Sequence, residues 1–162
     1  MKIGVIADTH IPDRAKAIPQ QILNAFKKVD MVIHAGDLVD IKVLEELKSV
    51  CNNVKAVYGN MDNEETQKIL PQKIVFKVGS YNIGVTHGFG ASNHLLEYIY
   101  NTFKDDKVDI VIFGHAHTPF NKKINGILYF NPGSPTDKVF TPYNSYGIIE
   151  INGDIEAEII KL

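Results

Sequence analysis

The chain has 162 residues but only one cysteine, Cys51, and it has no tryptophan. A single cysteine excludes an internal disulfide bond and a zinc cluster made of thiolates, and it suits the reducing cytoplasm. No apolar run approaches the ~20 residues that a bilayer-spanning helix requires. Met1 and Lys2 lead directly into a short apolar run, which is not the pattern of a signal peptide. These absences predict a cytoplasmic protein without a membrane segment.

An excess of charge of one sign is also missing. The chain has 17 lysine and arginine residues against 19 aspartate and glutamate residues, so its formal net charge is −2. Proteins that bind the nucleic-acid backbone usually present a basic face, and this composition gives no sign of one. The hydrophobic fraction of 44% is that of an ordinary globular protein. Since no repeat or linker-like tract interrupts it, we expect a single domain over residues 1–162 and no nucleic-acid partner.

One apolar run ends in a pair of histidines. The run from Val108 to Phe113 stops at Gly114, and His115 and His117 follow. Such a run is typical of a strand that is buried on both faces of a parallel sheet. Open α/β sheets bind their ligands at the carboxyl ends of the strands, where these two imidazoles are expected to lie. Because imidazole is a common ligand of transition metals, the pair indicates a metal site.

Four other apolar runs end in side chains of the same kind. Asp8 and His10 follow the run 3–7, Asp37 follows 31–34, Asn60 and Asp62 follow 54–58, and His87 follows 81–86. Each motif alone is explained equally well by a polar turn or an exposed loop. Five such strand ends in one chain are much harder to explain in that way, and they favour a shared site.

The donor set also indicates which metals the site would bind. Nitrogen and oxygen donors without a thiolate suit manganese, iron, zinc, cobalt or nickel better than calcium. The donors exceed the needs of one tetrahedral site and suit two metals that share a carboxylate: Asp8, His10, Asp37, Asn60, His87, His115 and His117. Two carboxylates and two divalent cations give a net charge of about +2, which attracts a phosphate anion. Arg14, in the loop after the first motif, either faces the same anion or is a solvated loop residue.

The remaining pattern predicts the fold class. Helical periodicity separates the first three strand-like runs, over residues 18–28 and again after Asp40, an expected N-cap. Strand–helix–strand units of this kind form parallel sheets. The later half alternates around short turns at Gly79-Ser80, Gly126 and Gly153, which is typical of hairpins. A helix after Ser92 is expected to bury Leu95, Leu96, Ile99, Tyr100 and Phe103. We therefore expect a second sheet that packs on the first.

Five spaced motifs resemble the signature of the calcineurin-like metallophosphoesterases. They are Asp8-x-His10, Gly36-Asp37, Gly59-Asn60-x-Asp62, His87-Gly88 and Gly114-His115-x-His117. The hairpin ending and Asn131-Pro132-Gly133-Ser134 resemble the small YfcE-like phosphodiesterase branch, which has no cap domain. The resemblance implies an α/β fold, a β-sandwich of two mixed sheets flanked by helices in four layers, α/β/β/α.

The resemblance also implies the roles of the site residues. One metal would be held by Asp8, His10, Asp37 and His117. The other would be held by Asp37, Asn60, His87 and His115, with Asp37 as the bridge. Manganese and nickel are the first expectations, and iron, cobalt and zinc follow. Asp37, Asn60, Asp62 and His87 would be catalytic, and Arg14, Asn60 and His87 would contact the substrate. Asn131 and Gly133 would form part of the wall behind the site.

At one position the chain departs from the family pattern. Many members carry a histidine between the asparagine and the aspartate of the third motif, where it assists the leaving group. Here this residue is Met61, which cannot donate a proton. We therefore expect slow turnover of esters with poor leaving groups and faster turnover of phenolic diesters. Asp62, which would orient that histidine, has an alternative structural role.

The leading functional hypothesis is a phosphodiesterase that hydrolyses small phosphodiesters by in-line attack of a hydroxide bridging two divalent metals. A second hypothesis is a non-catalytic scaffold, because the retromer subunit that resembles these enzymes works as an interaction module. A third is a nuclease, which the mild acidity disfavours. A homodimer is expected only because dimers are common. Two histidines are expected outside the site, His34 as a buried structural residue and His94 on the surface.

Overall fold

The structure is a computed structural model that describes residues 1–162. Ten strands and four helices alternate along the chain in the following order: β1 (Lys2–Ile6), α1 (Gln20–Phe26), β2 (Met31–His34), α2 (Lys42–Lys48), β3 (Val54–Ala56), α3 (Glu64–Ile69), β4 (Lys73–Val78), β5 (Tyr81–Thr86), α4 (Leu95–Phe103), β6 (Ile110–Ile112), β7 (Phe120–Ile124), β8 (Ile127–Asn131), β9 (Ser145–Asn152) and β10 (Asp154–Lys161). No helix has both the length and the apolar character needed to cross a membrane.

Two five-stranded mixed sheets form the centre of the fold. The first has the order β10-β9-β1-β2-β3, with β1, β2 and β3 parallel and β9 antiparallel to both of its neighbours. The second has the order β4-β5-β6-β8-β7, with parallel pairs on both sides of β6 and an antiparallel hairpin at each edge. The predicted strand–helix–strand units, hairpins and second sheet are confirmed.

The alternation of side chains along each strand explains why the runs are apolar throughout. In β1, Val5 points into the core between the sheets, whereas its neighbour Ile6 packs against α1 and α2. In β6, Ile112 points between the sheets and Val111 packs against α4. Both faces of these strands are therefore buried, as a continuous apolar run predicts. The layers are helix, sheet, sheet and helix, so the expected four-layer fold is confirmed.

The buried face of α4 differs from the prediction. Leu95, Ile99 and Phe103 are buried, but Leu96 and Tyr100 are exposed by 37% and 57%. Residues four apart lie on one ridge of a helix, while the next residue is rotated by about 100° and points away. The helix begins at Leu95, and Ser92 makes no cap hydrogen bond because His94 occupies the N-cap position. In α2 the expected cap residue, Asp40, accepts a hydrogen bond from the Lys42 N–H, although the helix begins after Ile41.

The contact between β1 and α1 depends on a residue without a side chain. A methyl group at Gly4 would lie 2.5 Å from Cε1 of Phe26, whose ring is fully buried. Gly4→Ala is therefore expected to lower the free energy of unfolding by about 1–3 kcal/mol, the usual cost of overpacking a core. Urea unfolding measures the change. The double variant with Phe26→Leu should lose less stability than the sum of the two single changes, and strict additivity would contradict a steric origin.

Candidate metal centre

The loops that follow strands of both sheets are tied to one another by backbone hydrogen bonds. The N–H of Asp8 donates to the carbonyl of Gly36 at 3.0 Å, and the N–H of Gly114 donates to the carbonyl of His87 at 3.0 Å. The N–H of His115 joins the two sheets, because it donates to the Asp8 carboxylate at 3.0 Å. The strand ends that carry the predicted ligands therefore meet at one place.

A first group of ligand atoms is formed by Asp8, His10, Asp37 and His117. The Nε2 atoms of His10 and His117 lie 3.1 Å apart. Nε2 of His117 is 3.5 Å from Oδ1 of Asp8, and Nε2 of His10 is 3.5 Å from Oδ2 of Asp37. All four residues are buried. Lone-pair-bearing atoms that converge in this way, away from water, are the arrangement of a metal site.

A second group is centred on His87. Its Nδ1 lies 2.8 Å from the carbonyl of Ala35, which can only accept, so Nδ1 carries the hydrogen and donates. Its Nε2 lies 3.3 Å from Oδ2 of Asp37 and 3.7 Å from Oδ1 of Asp8. This Nε2 is buried and has no hydrogen-bond partner. In the neutral imidazole its lone pair therefore faces carboxylate oxygens, and a cation between these atoms resolves the conflict. The residues present thus fit a divalent metal.

The pKa values of the buried groups also show that the site favours positive charge. Burial acts to lower the pKa of His87, but the neighbouring Asp37 and Asp8 outweigh it and raise the pKa to about 9. Burial raises the pKa of Asp8 to about 6, although His87 and His117 oppose the change. The pKa of Asp37 is lowered, because burial is outweighed by His87 and by the N–H of Met61. The site favours a cation, either a proton or a metal, between its two carboxylates.

Asn60 and His115 lie beside these two groups and are hydrogen-bonded to each other. Nδ1 of His115 lies 2.9 Å from Oδ1 of Asn60, and its Nε2 lies 2.7 Å from the carbonyl of Gly90. The rings of His115 and His87 are perpendicular, with centroids 5.4 Å apart. The structure therefore brings five of the seven predicted ligands together and places the other two beside them. Both ring nitrogens of His115 are engaged in hydrogen bonds.

Asp62 lies beneath the site rather than in it. Its carboxylate is buried and accepts hydrogen bonds from the N–H groups of Asp37 at 3.1 Å, Val39 at 2.7 Å and Gly59 at 2.7 Å. It does not line the cavity over the site. This geometry is that of a structural carboxylate, which holds the loop of Asp37 in place, and it corresponds to the alternative role considered for Asp62.

The backbone of the site is unusual. Five of the seven predicted ligands have a positive φ, between 43° and 72°: Asp8, His10, Asp37, His115 and His117. L-residues seldom adopt this left-handed conformation, which costs of the order of 1–3 kcal/mol each and is concentrated at functional sites. The network of loop hydrogen bonds holds these residues there. This backbone conformation directs the side chains of the five residues towards the shared site at the strand ends.

A cavity of about 400 Å³ opens over the first group of ligands. The predicted substrate contacts Arg14 and Asn60 lie on its wall, together with Met61 and Phe140. The third predicted contact, His87, lines an adjoining cavity of about 300 Å³ that shares Asn60. The guanidinium of Arg14 lies 5.6 Å from the centre of the Phe140 ring. Charged and apolar groups thus surround the same opening.

Comparison with known proteins identifies the family. The family model described as "Calcineurin-like phosphoesterase superfamily domain" matches residues 1–154. The chain belongs to this superfamily. It is 36% identical, over 99% of its length and 92% of the relative's, to a protein of Methanothermobacter thermautotrophicus named "Probable metallophosphoesterase". It is 32% identical, over 82% of its length and 83% of the relative's, to "Phosphodiesterase MJ0936" of Methanocaldococcus jannaschii.

Similarity extends to proteins with a different name. The phosphoesterase domain is 31% identical to "Vacuolar protein sorting-associated protein 29" of Schizosaccharomyces pombe, over 84% of this chain and 73% of that one. The crystal structure of Vps29 from Entamoeba histolytica in complex with zinc superposes with a TM-score of 0.78 at 28% identity, over 99% of both chains. These findings confirm the predicted fold and family. Metallophosphoesterases use divalent metals, and candidate ligand groups for them are present here.

Two histidines, His34 and His94, were predicted to lie outside the candidate site. His34 is fully buried, with Nε2 3.1 Å from the Thr9 hydroxyl and Nδ1 accepting from the N–H of Gly36 at 3.2 Å. Burial lowers its pKa to about 3, so it is neutral. His94 lies on the surface beside Glu97. The structural role of His34 and the exposure of His94 are confirmed.

The turn behind the candidate site makes more contacts with the site loops than the sequence suggested. The amide of Asn131 donates to the carbonyl of Gly114 at 2.9 Å, and the hydroxyl of Ser134 donates to the carbonyl of Asp8 at 2.8 Å. Thr136 donates to the carbonyl of Thr9 at 2.7 Å. Asp137, the next residue, contacts His117 and Arg14. Asp137 was not predicted from the sequence, because its contact with His117 spans 20 residues and no local motif marks it.

Proposed function

We propose that the protein is a metal-dependent phosphodiesterase that hydrolyses small phosphodiesters. Its binuclear centre would be formed by the seven candidate ligands between Asp8 and His117. The observation that carries the proposal is the partnerless Nε2 of His87, which faces two buried carboxylates. Membership of the calcineurin-like phosphoesterases and the resemblance to a relative named as a phosphodiesterase support it. The whole of residues 1–162 is proposed to act as one domain in the reducing cytoplasm.

The two groups of side chains suggest how the metals would be shared. Asp8, His10, Asp37 and His117 would hold one ion, and Asp37, Asn60, His87 and His115 the other, with manganese or nickel preferred over iron, cobalt and zinc. Such a pair of divalent cations supplies a nucleophile derived from water at neutral pH and neutralises the charge that develops on phosphate oxygens. His115 and Asn60 must then exchange their mutual hydrogen bond for ligation.

The chain's own side chains determine how a phosphodiester is held. Arg14 faces the cavity with its guanidinium, one nitrogen of which is held by Asp137, and its other N–H groups remain available for a phosphate oxygen. Met61 and Phe140 are exposed by 54% and 65% and form the apolar part of the rim. An aryl or other apolar ester group can pack against them. The site is therefore matched to small, partly apolar diesters.

Hydrolysis of bis-p-nitrophenyl phosphate tests this proposal. Metal-stripped protein should be inactive, and added Mn²⁺ or Ni²⁺ should restore turnover that saturates with both metal and substrate. Calcium serves as the control cation, because the nitrogen-rich donor set disfavours it. Absence of turnover with every transition metal, in protein that binds the metals, would contradict the enzymatic function.

The scaffold hypothesis remains as a second function, and the similarity to Vps29 is the observation that favours it. The two hypotheses differ in what the exposed residues above the site do. In a scaffold, Met61 and Phe140 would contact a partner protein instead of an ester group. The absence of a histidine at position 61 is consistent with either hypothesis, the enzyme or the scaffold. Turnover by the metal-loaded protein separates them.

The nuclease hypothesis predicts a different response to salt. A small diester presents one phosphate, so log(kcat/KM) should change little between 50 and 200 mM salt. A long polyanion contacts several basic groups, and its binding falls steeply with salt through counterion release. Arg14 is the only arginine or lysine on the cavity wall. We therefore expect a shallow salt dependence and no preference for oligonucleotides, and a steep dependence would favour a nuclease.

A further inference from the structure

Asp137 is a buried carboxylate that contacts two residues of the site at once. Its side chain has no exposure to solvent. Oδ2 lies against Nδ1 of His117, and Oδ1 lies 3.3 Å from Nη1 of Arg14. One carboxylate therefore joins a predicted metal ligand to the only arginine or lysine on the wall of the cavity.

The carboxylate of Asp137 is held rigidly by its own loop. The N–H of Val139 donates to Oδ1 at 2.9 Å, and the N–H of Phe140 donates to Oδ2 at 3.3 Å. The N–H of Asp137 itself donates to the Ser134 hydroxyl at 3.0 Å, which in turn donates to the carbonyl of Asp8 at 2.8 Å. Asp137 is thus connected, through Ser134, to the loop that contains Asp8.

This contact determines which nitrogen of His117 carries the hydrogen. A carboxylate only accepts, so Nδ1 of His117 must donate to Asp137, and the lone pair is left on Nε2. Nε2 is the atom that faces Asp8 at 3.5 Å and His10 at 3.1 Å. Ligating histidines are commonly oriented in this way by a second hydrogen bond, which also makes the ligand more basic.

We propose that Asp137 is a positioning residue that fixes His117 in the tautomer able to bind metal through Nε2 and holds Arg14 towards the substrate phosphate. The inference rests on the proposed function for its metal and substrate. Its statement about the tautomer of His117 does not, because the hydrogen bond exists in the chain without metal.

An asparagine at this position cannot serve both partners. If its oxygen faced His117, its NH₂ group would face the guanidinium of Arg14, a donor against a donor. If its NH₂ group faced His117, Nδ1 would have to accept, and the hydrogen would move to Nε2, where it blocks the metal. Asp137→Asn nearly preserves the size of the side chain and removes the second acceptor. It is therefore the informative substitution.

The first readout is the ¹⁵N chemical shifts of the His117 ring in the metal-free protein. In the neutral imidazole form, wild-type His117 should carry its hydrogen on Nδ1 and leave Nε2 bare. A protonated Nε2 with a bare Nδ1 in the wild type would overturn the inference without the use of any variant. This readout needs neither activity nor a stable variant, so it stays decisive if the proposed function fails.

The second readout is the affinity for Mn²⁺, measured by calorimetric titration of Asp137→Asn. Loss of an outer hydrogen bond to a ligating histidine usually weakens metal binding by about 10- to 100-fold, and we expect this loss for the ion held by His117. Arg14→Ala is the matched control, because it removes the other partner of Asp137. It should raise KM for bis-p-nitrophenyl phosphate and leave both the metal affinity and the tautomer unchanged.

Unchanged metal affinity, an unchanged tautomer and an unchanged KM in folded Asp137→Asn would show that Asp137 is merely structural and would overturn the inference. Failure of the wild type to bind Mn²⁺ would instead contradict the proposed function and the metal part of the inference together. A rise in KM for Asp137→Asn that equals the rise for Arg14→Ala would support the link through Arg14.

Discussion

Asp37→Ala is expected to reduce kcat/KM for bis-p-nitrophenyl phosphate by at least about a thousandfold. Asp37 contacts both groups of ligands, as Asp8 also does, since Oδ2 of Asp37 lies 3.5 Å from Nε2 of His10 and 3.3 Å from Nε2 of His87. Its removal would take one carboxylate from both proposed ion sites and leave Asp8 as the only carboxylate that faces Nε2 of His87. Several kcal/mol of transition-state stabilisation by the metals are then lost, and every ~1.4 kcal/mol corresponds to tenfold in rate.

The measurement combines steady-state kinetics with the metal content after gel filtration. Asp37→Ala should retain fewer ions per chain than the wild type and should keep its far-UV circular dichroism spectrum. Asp105→Ala, which removes an exposed carboxylate in the turn after α4, is the control for the loss of one negative charge. It should leave kinetics and metal content unchanged. An Asp37→Ala protein that retains both ions and a tenth of the activity would contradict the shared-ligand assignment.

Met61→His is expected to increase turnover of alkyl diesters, at the lower end of the ~10²–10⁴-fold range of a general acid. Met61 lines the cavity, and its N–H donates to Oδ1 of Asp37 at 2.8 Å, so its side chain starts beside the shared ligand. The gain should be at the low end because Asp62, which lies outside the cavity and accepts three N–H bonds, is poorly placed to orient a new imidazole.

The comparison of two leaving groups isolates the effect of Met61→His. Glycerophosphoethanolamine has alkoxide leaving groups that require a proton, whereas p-nitrophenolate leaves without one. The ratio of kcat/KM for the alkyl diester to that for bis-p-nitrophenyl phosphate should rise in Met61→His. Met61→Leu keeps the apolar rim and provides the matched control, with no change in this ratio. An unchanged ratio in Met61→His would contradict the missing-acid interpretation.

The sequence predicted the succession of strands along the chain and placed the candidate ligands at the strand ends, because both depend on local patterns. Each ligand follows an apolar run that is buried on both faces, and the turn residues reveal the hairpins of the later half. The error at Leu96 and Tyr100 has a local cause as well. Leu96 and Tyr100 each follow a buried residue by one position, so they lie about 100° around α4 from the buried ridge of Leu95, Ile99 and Phe103.

Other features of the site depend on contacts between distant parts of the chain. The hydrogen bond from His115 to Asp8 spans 107 residues, and the contact of His117 with Asp137 spans 20. The left-handed backbone of Asp8, Asp37 and His117 results from such contacts, since none of these residue types requires it. The pairing of His115 with Asn60 and the role of Asp137 were therefore beyond motif analysis.

The most direct test of the account is the number of transition-metal ions that the metal-stripped chain binds. A titration with Mn²⁺ that is monitored by calorimetry distinguishes one site from two. Electron paramagnetic resonance of the same samples detects magnetic coupling between neighbouring ions. The account predicts two ions per chain, with a coupled signal that disappears in Asp37→Ala. Binding of no ion, or of two ions without coupling, would contradict a binuclear centre bridged by Asp37.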